Sequence, residues 1–305
     1  MKRVIITGAD GFIGSNTVSC FLRNGIEVMA IDLCDIPKRL QVQKNMTYLQ
    51  GDILKTKELL KKIEHNRYDT FIHFAWAGSA GKAREDYNLQ MSNAISTVEC
   101  LKLAKALGCT RFVCAGSIME KEAVAAVDMQ GSKPGMAYIY GMGKLIAHHM
   151  CKCVAANIGI DLIWLMITNT YGEGEMSPRF VNTTLRKIIN NEPLQFTSGT
   201  QNYDFVHIDD VANAFYLISQ KGRPFCEYIV GSSNARPLKE FILEMVHALA
   251  PHITPVFGDI EYTGTNLPLA TFDTSATERD TGFRAKISFT EGTKRTMEWL
   301  KRQKG

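Results

Sequence analysis

The sequence predicts an α/β fold: a doubly wound parallel sheet of the Rossmann type with a smaller, discontinuous C-terminal substrate-binding domain. Three observations predict it. Short apolar runs alternate with helical patterns through the first half of the chain, as in a parallel sheet covered on both faces. The first run breaks into glycines that open a helix, in Val4-Ile5-Ile6-Thr7-Gly8-Ala9-Asp10-Gly11-Phe12-Ile13-Gly14. The second run ends on an acid, Asp32.

The elements follow in order. Arg3 to Thr7 is a buried strand and Gly11 to Arg23 a helix. Glu27 to Asp32 is the second strand, Thr47 to Gln50 a short third, and about Thr56 to His65 a helix. Thr70 to Ala75 is the fourth strand. A long helix runs from about Arg84 to Leu107, with Gly108 as its stop signal. Arg111 to Ala115 is the fifth strand, Ala137 to Asn157 a second long helix, and Asp161 to Ile167 the sixth strand. Right-handed crossovers between such strands give the doubly wound sheet. After Asn169 the pattern loosens around Gly172, Gly174 and Pro178. A helix from about Arg179 to Asn190 follows. Tyr203 to His207 reads as a strand returning to the sheet, and Asp209 to Gln220 as a helix capped by Asp209 or Asp210. A last helix spans about Thr290 to Arg302. Residues 1–168 are expected to form the dinucleotide-binding domain, with 203–220 returning to it; 169–202 and 221–305 mainly form the substrate domain.

Bulk properties narrow the function classes. A chain of 305 residues with 45% hydrophobic and 22% charged residues is ordinary for a soluble globular protein. Its net charge of +4 is mild, pointing to no nucleic acid while suiting an anionic substrate. No apolar run approaches the roughly 20 residues of a membrane span, and no secretory signal is visible, so a cytoplasmic location is expected. The eight cysteines lack paired metal-site spacing and read as reduced thiols. No metal is expected. His148 and His149 read as structural.

The glycines predict the cofactor. In Thr7-Gly8-x-x-Gly11-x-x-Gly14, Gly8 permits the turn after the strand, Gly11 lets backbone approach phosphate, and Gly14 lets the helix pack near the sheet. Free amides at the helix start, at Phe12 and Ile13, then face a pyrophosphate. Asp32 lies 18 residues after Gly14, where an acid binds the adenosine ribose hydroxyls and repels a 2′-phosphate. NAD is therefore expected over NADP, although Lys38 and Arg39 follow a few residues on. Asp52 either meets the adenine amino group or caps a turn. Ile53 and Ala75 complete the expected cofactor set.

Tyr140-Gly141-Met142-Gly143-Lys144 supplies candidate chemistry. Tyrosine and lysine four apart share a helix face. An ammonium beside a phenol favours the ionised form, which makes an acid/base of a tyrosine. The same lysine can bind nicotinamide ribose hydroxyls. The pair opens the long helix before the sixth strand and so can lie over the carboxyl ends of the sheet. Ser117, just beyond the fifth strand, can hold a substrate hydroxyl against the tyrosine; a loop serine capping backbone is the alternative.

Together these residues resemble an extended short-chain dehydrogenase/reductase, and more narrowly the NAD-dependent nucleotide-sugar epimerase/dehydratase family. Asn93 matches that family's helix asparagine. Asn169-Thr170-Tyr171-Gly172 resembles its segment bordering nicotinamide and substrate, and the stretch from Gly199 to Asp210 resembles its Gly-x-Gln-x-Arg-Asp-Phe motif. The resemblance implies a nucleotide-diphosphate sugar as substrate, with Ser117, Asn169 and Tyr203 contacting it. It also implies a homodimer built by the two long helices.

The sequence departs from the family at the diphosphate. Tyr203 and Met166 stand where arginines are usual, and no Arg-x-Gly-Asp segment is evident from Gly264 to Ala270. Arg179, Arg186 and Lys187 are candidate substitutes, each also readable as a solvated helix charge. Lys82 is read as a surface lysine. Ile118-Met119 replaces the Asp-Glu pair of the family's dehydratases, which argues against 4,6-elimination; Glu120 is one place too far along. The expected activity is an NAD-dependent epimerase, with Ser117, Tyr140 and Lys144 as the catalytic set. A keto-sugar reductase and a non-catalytic dinucleotide sensor are the alternatives.

Overall fold

The computed structural model describes residues 1–303. Strands β1 (Arg3–Thr7), β2 (Glu27–Asp32), β3 (Met46–Gln50), β4 (Thr70–His73), β5 (Arg111–Ser117) and β6 (Asp161–Ile167) alternate with helices α1 (Phe12–Arg23), α2 (Thr56–Lys62), α3 (Tyr87–Ala106), α4 (Met119–Val127) and α5 (Ile139–Ile158). The second half holds β7 (Asn169–Tyr171), α6 (Phe180–Asn190), β8 (Asn202–Tyr203), β9 (Phe205–His207), α7 (Ile208–Lys221), β10 (Glu227–Val230), β11 (Arg236–Pro237), α8 (Leu238–Leu249), α9 (Ser275–Thr281) and α10 (Phe289–Arg302).

The central sheet has seven strands in the order β10-β6-β5-β4-β1-β2-β3, all paired in parallel. The doubly wound α/β class expected from the sequence is what is observed. Side chains on a strand point alternately to the two faces. Val4 and Ile6 therefore join Val28, Ala30, Phe21 and Phe215 in one core. Ile5, Met29 and Ile31 join Leu59, Leu101, Phe112 and Trp164 in the other. Helices α1 and α7 cover the first face; α2, α3 and α5 cover the second. A third core gathers α6, α8 and α10 around Phe205, Phe241 and Phe289, whose ring centroids lie 4.9–5.3 Å apart. It packs beyond the carboxyl end of the sheet, and the candidate site lies between.

Four local expectations change. The segment Tyr203–His207 does not enter the central sheet: β9 pairs with β7 and β8 with β11, because β10 occupies the edge beside β6. The cap of α7 is His207, whose Nδ1 accepts from Asp209 N–H at 3.2 Å. Asp209 instead pairs with Arg295, and Asp210 accepts the amides of Lys286 and Ile287. Helix α3 starts at Tyr87, not near Arg84, because the Asp86 side chain caps it by accepting Leu89 N–H at 3.1 Å. Residues Gly81–Glu85 form a separate short 3-10 turn. Finally, β5 extends through Ser117 and leads into α4, an element the sequence pattern did not suggest.

Candidate active site

The order of the strands reverses at β1, with β2 on one side and β4 on the other. A crevice opens at the carboxyl ends of the strands at such a point. It holds a cavity of about 640 Å³, within the size range of cofactor sites. Every residue the sequence assigned to the cofactor lines it: Gly8, Gly11, Phe12, Ile13, Gly14, Asp32, Asp52, Ile53, Ala75, Tyr140 and Lys144.

The turn between β1 and α1 admits only glycine at two positions. Gly8 has φ +66°, and a Cβ there would meet the amide nitrogen of Ala75 at 2.6 Å. A Cβ on Gly14 would meet the Gly8 carbonyl oxygen at 2.0 Å. The first-turn amides of α1 have no intrahelical acceptor and no side-chain cap, and Phe12, Ile13 and Gly14, which carry them, line the cavity. The Asp32 carboxylate accepts hydrogen bonds from Asp10 N–H and Leu33 N–H, both at 2.8 Å. Asp10 in turn accepts the amides of Lys38, Arg39 and Leu40 at 2.7–2.9 Å. That contact brings Lys38 and Arg39 to the cavity wall. Asp52 accepts Leu54 N–H at 2.9 Å and so caps a turn while lining the same cavity.

A second cavity, of about 290 Å³, adjoins the first. Ser117, Asn169, Tyr203, Arg84 and Arg179 line it, and Tyr140 lines both. Tyr140 and Lys144 are 8% and 4% exposed. The Lys144 ammonium donates to the Ala115 carbonyl at 2.8 Å and sits 3.8 Å over the Trp76 ring. Trp76 packs edge-on to Tyr140 at 6.2 Å. Its own N–H donates to Gln90 Oε1 at 2.7 Å. Asn93 brackets the Ala77 peptide, accepting its N–H at 3.0 Å and donating to its carbonyl at 2.8 Å. Helix α3 thereby fixes the loop that flanks the cofactor cavity.

The Ser117 side chain accepts Met119 N–H at 3.2 Å while facing the second cavity. Its own N–H donates to Glu120 at 2.9 Å. Asn169 donates to the Asp204 carbonyl at 3.1 Å. Tyr203 stacks on Phe205, and burial pushes its phenol up to about 12. Of the candidate diphosphate cations, Arg179 lines both cavities, 3.4 Å from Glu175. Arg186 donates to Asn182 at 3.0 Å, and neither it nor Lys187 lines either cavity. Met166 is buried in the core under α3 and α5. The segment near Gly264 is held by polar uncharged contacts: Asn202 N–H to Asn266, and the Tyr138 hydroxyl with Thr265 at 2.7 Å. Sequence reasoning missed Arg84, since a single arginine after a glycine-rich loop carries no spacing signal.

The NAD dependent epimerase/dehydratase family matches residues 4–231. A putative UDP-glucose 4-epimerase of Methanocaldococcus jannaschii is 22% identical, covering 98% of each chain. Among solved structures, the UDP-glucose 4-epimerase of Thermotoga maritima with UDP-glucose superposes with a TM-score of 0.82 at 18% identity, covering 99% of this chain and 100% of that one. The dTDP-glucose 4,6-dehydratase of Bacillus anthracis in complex with NAD gives 0.77 at 19% identity, covering 99% and 97%.

Proposed function

The chain belongs to the NAD dependent epimerase/dehydratase family, and from that premise we propose that it is a nucleotide-sugar epimerase acting by transient oxidation of a sugar hydroxyl. One observation carries the reading: Tyr140 lines both the cavity fitted to a dinucleotide and the cavity beside it. A phenol there faces both the reacting end of the cofactor and the substrate.

The first cavity suits NAD. The glycine turn leaves amides free for a pyrophosphate, and Asp32 ends β2 where ribose hydroxyls bind. Gly8, Gly11, Phe12, Ile13 and Gly14 would hold the phosphates, Asp32 the adenosine ribose, Asp52 and Ile53 the adenine end, and Ala75, Tyr140 and Lys144 the nicotinamide end. When bound, NAD supplies a reversible acceptor for hydride from a sugar carbon. Tyr140 removes the proton of the sugar hydroxyl as hydride leaves its carbon; after the keto sugar has presented its other face and hydride has returned, Tyr140 gives the proton back to the oxygen of the inverted carbon. Ser117 orients that hydroxyl. Lys144, held by the Ala115 carbonyl over the Trp76 ring, puts an ammonium one helical turn from Tyr140 in the same cavity, where it can bind the nicotinamide ribose hydroxyls. Asn169 and Tyr203 contact the substrate, with Arg179 as the basic side chain common to both cavities.

Water elimination would need a carboxylate free for proton transfer beside Ser117. Glu120 is fully buried and faces away, engaged by Ser117, Trp164 and His148. That favours epimerisation over dehydration.

The test uses NAD-loaded protein and a UDP-hexose deuterated at the candidate carbon. The epimer should form without stoichiometric reduced cofactor and should retain its deuterium. Tyr140→Phe should lower kcat by about 10²- to 10⁴-fold while leaving NAD affinity nearly intact. Turnover that consumes reduced cofactor mole for mole would replace this reading with a keto-sugar reductase. Strong NAD binding with no conversion across a panel of sugar nucleotides would replace it with a dinucleotide sensor.

A further inference from the structure

We propose that Arg84 receives a carboxylate of the substrate, so that the sugar oxidised at this site is a sugar acid whose carboxylate lies beside the reacting carbon. This deepens the reading of Tyr140 above and rests on it.

The fold leaves Arg84 without an acid partner among the described residues. Arg84 sits on the short turn Gly81–Glu85 and lines the substrate cavity. It makes no ion pair among the described residues, and its Nε is buried with no hydrogen-bond partner. Its one side-chain hydrogen-bond contact is Nη2 against the Met119 sulfur, a weak acceptor. A guanidinium carries five donors in a planar fork matched to a carboxylate. Leaving such a group half-buried, with a buried Nε and no acid partner, is costly, and burial indeed lowers its affinity for its proton. A bound anion removes that cost.

Position selects which part of the substrate supplies the anion. The guanidinium carbon lies 4.4 Å from the centre of the Tyr140 ring, and Met119 is two residues from Ser117. Any group that Arg84 binds therefore lies against the two residues proposed to hold the reacting hydroxyl. Only a substituent one or two atoms from that carbon reaches both. The charged groups facing Arg84 are Glu122, beyond ion-pair distance, and Arg179, whose like charge reinforces attraction for an anion; Tyr140 and Tyr203 are its other titratable neighbours. Tyr203 and Phe205 add an apolar wall to a cavity that is otherwise lined largely by polar side chains.

UDP-glucuronate and UDP-glucose test this directly, since they differ by a carboxylate in place of a hydroxymethyl group. Binding to NAD-loaded protein is measured by calorimetry and conversion by product analysis, for wild type and Arg84→Met, with NAD affinity reporting the fold. Wild type should prefer the acid by about 10- to 100-fold. Arg84→Met should bring that preference close to unity, and Arg84→Lys should restore part of it. Equal or reversed preference in wild type overturns the proposal. Equal losses for both ligands in Arg84→Met also overturn it, because the arginine would then be reading the shared diphosphate. Preferential binding of the acid without conversion of either sugar would leave the carboxylate contact standing and sink the epimerase reading; binding of neither sinks both.

Discussion

Glu120 lies one residue beyond the place where the family's dehydratases carry proton-transfer acids, and its geometry gives it another task. Its carboxylate accepts the Ser117 amide at 2.9 Å and the Trp164 indole N–H at 3.0 Å, and lies 3.2 Å from His148 Nδ1. His148 stacks flat on Trp164, with centroids 4.5 Å apart. Gly116 is required above this cluster, since a Cβ there would meet Trp164 Nε1 at 2.1 Å. The network ties Ser117 to the core. Glu120→Ala leaves buried donors unsatisfied, and should cost about 3 kcal/mol in chemical denaturation, with a fall in kcat as Ser117 loses its anchor. Glu120→Gln keeps an acceptor and should cost less. If both variants unfold like wild type, the anchoring account fails. His148 was legible as structural; its stacking on Trp164 was not, because the two are paired across the fold and share no sequence pattern.

At the scale of the element, α4 decides the neighbourhood of Arg84. It is a nine-residue helix whose first amide, that of Met119, is met by the Ser117 side chain, and it places Glu122 near Arg84, Tyr203 and Tyr262. Burial raises the Glu122 carboxyl to about 6, with Arg84 partly opposing it. A raised acid favours the folded state in its protonated form. Its contribution to stability is complete below about pH 4.5 and is lost as pH rises through 6. Glu122→Gln should therefore gain about 2 kcal/mol relative to wild type between pH 4.5 and pH 7, read from denaturation midpoints across that range. A difference that stays flat with pH would contradict this. The strand expected at Tyr203–His207 shows a complementary lesson. Its β-forming residues were legible, but its partner was not, since β10 had already taken the edge of the sheet.

For the whole molecule, the two long helices pack against each other and also face outward. Tyr87, Met91 and Ile95 on α3 and Met150 on α5 are large apolar residues left exposed, at 41–60%. On α3 they recur at four-residue spacing and form a stripe. The homodimer implied by the family resemblance would cover that stripe. Ile95→Lys should shift the sedimentation coefficient from dimer to monomer while NAD still binds. A wild-type protein that sediments as a monomer at micromolar concentration would end the idea.

The sequence by itself determined the alternating αβ layers, the glycine turn, the acid at the end of β2 and the tyrosine–lysine spacing. Each of these is a local constraint, written as side-chain period, backbone freedom or helix geometry within a few residues. The tertiary structure alone decided that Tyr140 stands between two cavities, that Arg84 stacks on it without an acid partner, and that Glu120 turns inward to hold Ser117. Those facts depend on residues far apart in the chain meeting at the carboxyl edge of one sheet, such as Gly8 with Tyr140 and Glu120 with Trp164, and no local pattern records which distant side chain will fill the space.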